Sequence, residues 1–99
     1  GLGMGATLMM STAMNAYTLS DRATWISFAR KVNQDVLFSD DWLLFNQYGV
    51  IAVNPARHPH VNALGAERFV DWITGPKGQA EIAAFKIGGE QLFFPNATR

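Results

Sequence analysis

The sequence predicts an α/β chain on three observations. A short apolar run, Ala16 to Leu19, feeds directly into a polar helix start at Ser20-Asp21, and a strand delivering the chain into a capped helix is the recurring unit of α/β architecture. The β-branched run Val50 to Val53 is the strongest strand signal, stopped by Asn54-Pro55. Further on, a helical pattern breaks at Gly75-Pro76 and restarts, as in a bent helical hairpin.

Between Gly5 and Asn15 there is no Pro or Gly, and Ala6, Met9, Met10, Ala13 and Met14 recur at the spacing of a helix buried on one side. After the Ala16–Leu19 strand, Ser20-Asp21 caps a helix from Arg22 to Lys31 in which Trp25, Ile26 and Ala29 share a face. Val36-Leu37-Phe38, a turn at Ser39-Asp40-Asp41 and Trp42-Leu43-Leu44-Phe45 lead into Tyr48-Gly49 and the second strand, Val50 to Val53. Pro55 to Pro59 is a loop. Asn62 caps a helix from Ala63 to Thr74 with Leu64, Phe69, Val70 and Ile73 inward, and Pro76 opens a second helix to Phe85 that packs Ala80, Ile82, Ala83 and Phe85. Beyond Gly88-Gly89, Gln91 to Phe94 is a last strand or an extended tail ending at Pro95-Asn96.

With 99 residues, 48% of them hydrophobic, the chain has the composition of one small folding unit and not of a disordered segment. Eight basic residues balance eight acidic ones, and no Lys/Arg cluster is present to track a phosphate backbone, so nucleic acid is not an expected partner. The absence of cysteine excludes disulfides and thiol chemistry. No apolar run approaches the ~20 residues needed to cross a bilayer. A start at Gly1-Leu2-Gly3, inside a glycine-rich motif, raises the expectation that this is the tail of a longer polypeptide.

The chemistry concentrates in two helix beginnings, Gly3-Met4-Gly5-Ala6-Thr7 and Tyr17-Thr18-Leu19-Ser20-Asp21-Arg22. The first N–H groups of a helix lack intrahelical partners, so such ends, with nearby hydroxyls, are suited to holding an anion. Gly5 and Thr7 at the first, and Tyr17, Thr18, Ser20 and Arg22 at the second, are the candidate oxyanion-binding residues. Each also has a plain role: a tight turn for the glycines, a cap for Ser20, a solvated or carboxylate-paired Arg22. The glycine spacing is not that of a dinucleotide fingerprint, and no Lys-Ser/Thr follows as in a P-loop. His58 and His60 lack the further ligands a zinc site needs, and the carboxylates Asp40, Asp41, Glu67, Asp71 and Glu81 form no apolar acid–base pair, so no metal, cofactor or catalytic constellation is expected. Trp42, Phe45, Tyr48, Phe93 and Phe94 fit core packing better than a carbohydrate groove.

Gly3-Met4-Gly5-Ala6-Thr7-Leu8, Ala16 to Thr24, Leu44-Phe45-Asn46 with Tyr48 to Pro55, Phe69 to Ile73, Gly78-Gln79, Phe85-Lys86-Ile87 and Gly89 to Asn96 together resemble the C-terminal part of tungstate-type substrate-binding proteins of ABC transporters. The resemblance runs nearly end to end and keeps the motifs in order. It departs at Ala23, where the family usually has glycine, which loosens the junction without removing a ligand group. The family's N-terminal hydroxyl-rich motif and its middle segment with an anion-facing arginine have no counterpart here.

The resemblance implies part of a two-lobe, type II periplasmic-binding-protein-like fold, with residues 1–54 as the second half of lobe two and residues 55–99 as the return into lobe one by the helical hairpin. It implies capture of a tetrahedral oxyanion, tungstate or molybdate, in a periplasmic or otherwise extracytoplasmic location, soluble or lipid-anchored, for delivery to a membrane permease, with no enzymatic step. Thr18 would lie nearest the ligand, Tyr17, Ser20 and Arg22 next, and Gly5 and Thr7 on the hinge side. A ligand-sensing regulatory module of the same fold is the alternative. A chain of these residues alone is expected to self-associate through exposed sheet edges and apolar helix faces.

Overall fold

The computed structural model describes residues 1–98. Four helices, α1 (Met4–Ala13), α2 (Arg22–Phe28), α3 (Ala63–Thr74) and α4 (Pro76–Ala84), carry most of the regular structure, with a 3-10 turn at Trp42–Leu44 between α2 and α3. Two short strands, β1 (Lys86–Ile87) and β2 (Glu90–Gln91), follow α4. The chain divides into two compact units: Gly1–Asn46 with Lys86–Phe93, and Gln47–Phe85 with the tail that starts at Phe94.

In the first unit α1 packs against α2 at a close approach that only a residue without a side chain permits. A Cβ on Gly5 would stand 2.6 Å from the Phe28 ring. The expected buried face of α1 is therefore corrected: Met9, Met10 and Met14 are exposed, and Leu8 and Ser11 are buried. Apolar residues lie almost all around this helix, so periodicity could not choose a face, and the small Gly5 and Ser11 mark the side the partner reaches. The helix ends in a Schellman turn: Asn15 takes the left-handed conformation at φ 51°, its N–H donates to Thr12 O, and the Ala16 N–H donates to Ser11 O at 2.9 Å. Helix α2 stops at Phe28, shorter than the expected Lys31.

The expected strands at Ala16–Leu19 and Val50–Val53 form no ladder among the described residues. Local β-propensity is present in both, but a strand exists only where a second segment accepts its hydrogen bonds, and the sheet contains β1 and β2 alone. Of Gln91 to Phe94, expected as a last strand or an extended tail, Gln91 alone joins a strand and residues 92–94 carry no regular structure. The pairing is an antiparallel hairpin, Lys86 opposite Gln91 and Ile87 opposite Glu90, turned by Gly88 and Gly89 at φ 59° and 81°. Those positive angles are what a two-residue primed turn demands and what glycine supplies without strain. Leu92, directly after it, is with Leu8 one of the two most buried apolar side chains, and both lie in the first unit.

In the second unit α3 and α4 form the expected hairpin. Asn62 Oδ1 accepts from the Gly65 N–H at 2.8 Å, and Gly75 serves as both the C-cap of α3 and the N-cap of α4, with Pro76 in the first turn. A Cβ on Gly78 would meet Ile73 Cα at 2.7 Å, so the two helix backbones approach as closely as they can. Gln79 Nε2 donates to Ile73 O at 2.7 Å, satisfying a terminal carbonyl of α3, and its Oε1 accepts from the Ala97 N–H at 3.0 Å. Gln47 and Asn96 exchange two amide hydrogen bonds, at 3.1 and 2.9 Å. Val70 and Ile73 are half-buried as expected for the inner face of α3, whereas Leu64 and Phe69 are exposed, which corrects the expected face at those two positions.

Candidate functional site

Tyr17 to Ser20 connects α1 and α2 in the first unit, with Tyr17, Thr18 and Leu19 exposed and Ser20 half-buried. Tyr17 is 89% exposed. The Thr18 hydroxyl is exposed and donates to Leu19 O at a long 3.3 Å, an interaction it can exchange for a ligand at little cost. Ser20 Oγ donates to Asp21 O at 3.0 Å. No backbone hydrogen bond engages the N–H groups of residues 17–20 among the described residues. Hydroxyls and unengaged N–H groups on successive residues are the donors a tetrahedral oxyanion accepts from.

The electrostatics at the start of α2 differ from the sequence expectation. Asp21, not Ser20, is the N-cap: its Oδ2 accepts from the Thr24 N–H at 2.9 Å. A carboxylate thus already satisfies the positive end of this seven-residue helix. Arg22 is paired with a carboxylate, as one of its two plain readings had it, and the partner is Asp40, Nη2 to Oδ1 3.1 Å. Tyr17 and Thr18 therefore remain exposed, Ser20 is half-buried, and Arg22 brings its charge together with a counterion.

Gly5 and Thr7 are drawn into other work. Gly5 admits the Phe28 ring, and Thr7 Oγ1 donates to Gly3 O at 3.0 Å, back along its own helix. Gly5 in the first turn of α1 meets Phe28 in the last turn of α2, so the two helix beginnings lie at opposite ends of the pair and do not converge on one point.

Two side chains organise this region: Gln34, which sequence reasoning passed over, and Asp40, which it read only as a turn residue and a carboxylate outside any acid–base pair. Gln34 donates from Nε2 to Ser11 Oγ at 3.0 Å and to Ala16 O at 3.1 Å, and Asp40, at φ 63°, holds Arg22. Neither belongs to a motif, and both act on residues 18 or more positions away, a distance no local pattern spans.

In the second unit Val50, Ala52, Glu67, Val70 and Asp71 line an open groove. Its two carboxylates make it unsuited to an oxyanion. The His58 and His60 rings stand 6.1 Å apart and perpendicular, and among the described residues no group of three or more His, Cys, Asp or Glu is arranged to hold a metal ion. No described helix is long and apolar enough to cross a membrane.

A family model described as the PBP superfamily domain matches residues 1–77. The chain is 43% identical over 101 residues to the tungstate-binding protein TupA of Peptoclostridium acidaminophilum, an alignment covering 100% of this chain and 35% of that protein. It is 41% identical to a putative ABC transporter anion-binding protein of Haloferax volcanii, over 98% of this chain and 30% of that one. To the tungstate-binding protein TupA of Campylobacter jejuni it is 34% identical, over 98% of this chain and 38% of the relative. The chain thus spans about a third of the length of the curated relatives it matches.

Proposed function

The chain belongs to the PBP superfamily, an α/β periplasmic-binding-protein-like fold, and from that premise we propose that it forms part of an extracytoplasmic component that captures a tetrahedral oxyanion, tungstate or molybdate, for an ABC transporter. The observation that carries the proposal is the 43% identity, over the whole of this chain, to a relative named for tungstate binding. A relative named for anion binding in ABC transport supports the transporter as partner.

In this reading the exposed segment Tyr17–Ser20 is one wall of the binding cleft. Thr18 donates its hydroxyl to the ligand, flanked by Tyr17 and Ser20, and Arg22 contributes positive charge from beside its Asp40 counterion. Gly5 and Thr7 give the ligand no group and serve the packing and start of α1. Binding requires no nucleophile, base or cofactor, and selectivity among dianions follows from the size of the cleft, because donors held at fixed separation fit one oxyanion radius best.

Calorimetric titration of the full-length protein with tungstate, molybdate and sulfate tests the proposal. Tungstate and molybdate are expected to bind, and sulfate far more weakly. Absence of heat with all three anions overturns it.

A further inference from the structure

The ends of the exposed Tyr17–Ser20 segment are held by different means. At its far end the chain enters α2 through the Asp21 cap. At its near end both backbone groups of Ala16 are engaged: the N–H donates to Ser11 O at 2.9 Å, and the carbonyl accepts from Gln34 Nε2 at 3.1 Å. The same amide nitrogen donates to Ser11 Oγ at 3.0 Å, and Ser11, 6% exposed, passes its own hydroxyl hydrogen to Leu8 O at 3.0 Å. The Gln34 amide has two hydrogens and finds two acceptors, one on α1 and one at the root of the exposed segment. Its orientation follows from Ala16 O, which only a donor can face.

We infer that Gln34 is a positioning residue for oxyanion binding: by tying Ala16 O to α1 it sets the direction in which Tyr17–Ser20 leaves the helix and presents Thr18 already ordered. The inference rests on the reading that this segment meets the ligand. A loose segment would have to be ordered when the anion arrives, at the expense of affinity, whereas a segment ordered beforehand does not lose that part. Residues 33–34 fit the role because the neighbouring Asn33 N–H also donates to α1, to Thr12 Oγ1 at 2.9 Å, so the Gln34 side chain starts from an anchored backbone.

Three variants separate positioning from general packing. Gln34→Glu keeps the shape but puts an oxygen against Ala16 O, Gln34→Met keeps the length with neither donor nor charge, and Ser11→Ala removes the buried hydroxyl while leaving the Gln34–Ala16 bond. Nitrogen-15 relaxation of the ligand-free full-length protein is read first. Both Gln34 variants are expected to lower the amide order parameters of residues 16–20 from about 0.85 to below about 0.6, with α1 and α2 unchanged and Ser11→Ala like the parent. Unchanged order in either Gln34 variant, or equal loosening in Ser11→Ala, overturns the inference. Tungstate titration of the full-length protein follows: the Gln34 variants are expected to bind about tenfold more weakly, and Ser11→Ala within about twofold of the parent. Parent-like affinity in the Gln34 variants overturns the inference, whereas a parent that binds no tungstate removes the proposed function and leaves the relaxation result to decide positioning.

Discussion

Arg22 Nη2 lies 3.1 Å from Asp40 Oδ1, a pair that joins the start of α2 to the loop before the 3-10 turn with both groups substantially in water, 47% and 77% exposed. Solvent screening limits such a pair to about 0–1 kcal/mol. Asp40 also holds a left-handed backbone at φ 63°, which disfavours any residue with a Cβ. Two opposing effects therefore meet in Asp40→Gly, and the backbone gain is expected to match or exceed the lost pair, leaving the urea midpoint unchanged or raised. Asp40→Asn keeps the backbone tolerance and removes the charge, so it is expected to lower the midpoint slightly and to strengthen tungstate binding by the full-length protein. A midpoint that falls sharply in Asp40→Gly would show that the pair matters more than its exposure allows.

Asp21 separates capping from charge. Asp21→Ala is expected to lose about 1 kcal/mol in chemical denaturation, the usual effect of removing a side-chain N-cap. Asp21→Asn retains an acceptor for the Thr24 N–H at 2.9 Å and is expected to be nearly neutral. Because Asn carries no negative charge beside Tyr17–Ser20, the same variant is expected to bind tungstate more tightly than the parent. Weaker binding in Asp21→Asn would argue that the anion does not approach this segment.

Gly78→Ala is expected to destabilise the α3–α4 hairpin by about 1–3 kcal/mol, since the added carbon meets backbone, which cannot rotate away. Gly49→Ala is the control. Nothing lies within 4 Å of a Cβ there, and a neutral or slightly stabilising effect is expected. Helical circular dichroism through a denaturant series distinguishes the two, and equal midpoints would refute the close approach of α4 to the Trp72–Ile73 backbone.

The 99-residue chain by itself is expected to self-associate. Trp42 is 80% exposed, Ile51 89% and Phe45 69%, and the Val50–Val53 backbone has no ladder partner among the described residues. Large apolar side chains beside unpaired strand backbone recruit a second chain. Size-exclusion chromatography with light scattering should give a mass above the 10.9 kDa of one chain, with Trp42→Lys and Ile51→Lys shifting it downward. A monodisperse 10.9 kDa species in the parent would count against the expectation.

Features whose physics is local were legible in the sequence. Asn62 and Gly75-Pro76 bound α3 at Ala63 and Thr74 as expected, because a cap, a proline and a helix period act within a few residues. The end-to-end motif order pointed to the PBP superfamily, which the match over residues 1–77 bears out. The hydroxyl cluster at Tyr17–Ser20 was visible for the same reason: it is contiguous.

What depends on a distant partner was decided only by the tertiary structure. The face of α1 that is buried was set by the approach of Phe28 to Gly5, since methionines around the helix offered the periodicity no contrast. Asp40 as the counterion of Arg22, and Gln34 as the tie between Ser11 and Ala16, are pairings across 18 to 23 residues between side chains of unmarked type. Val50–Val53 has every local mark of a strand and no ladder among the described residues, because a helix closes its hydrogen bonds within one segment and a strand cannot.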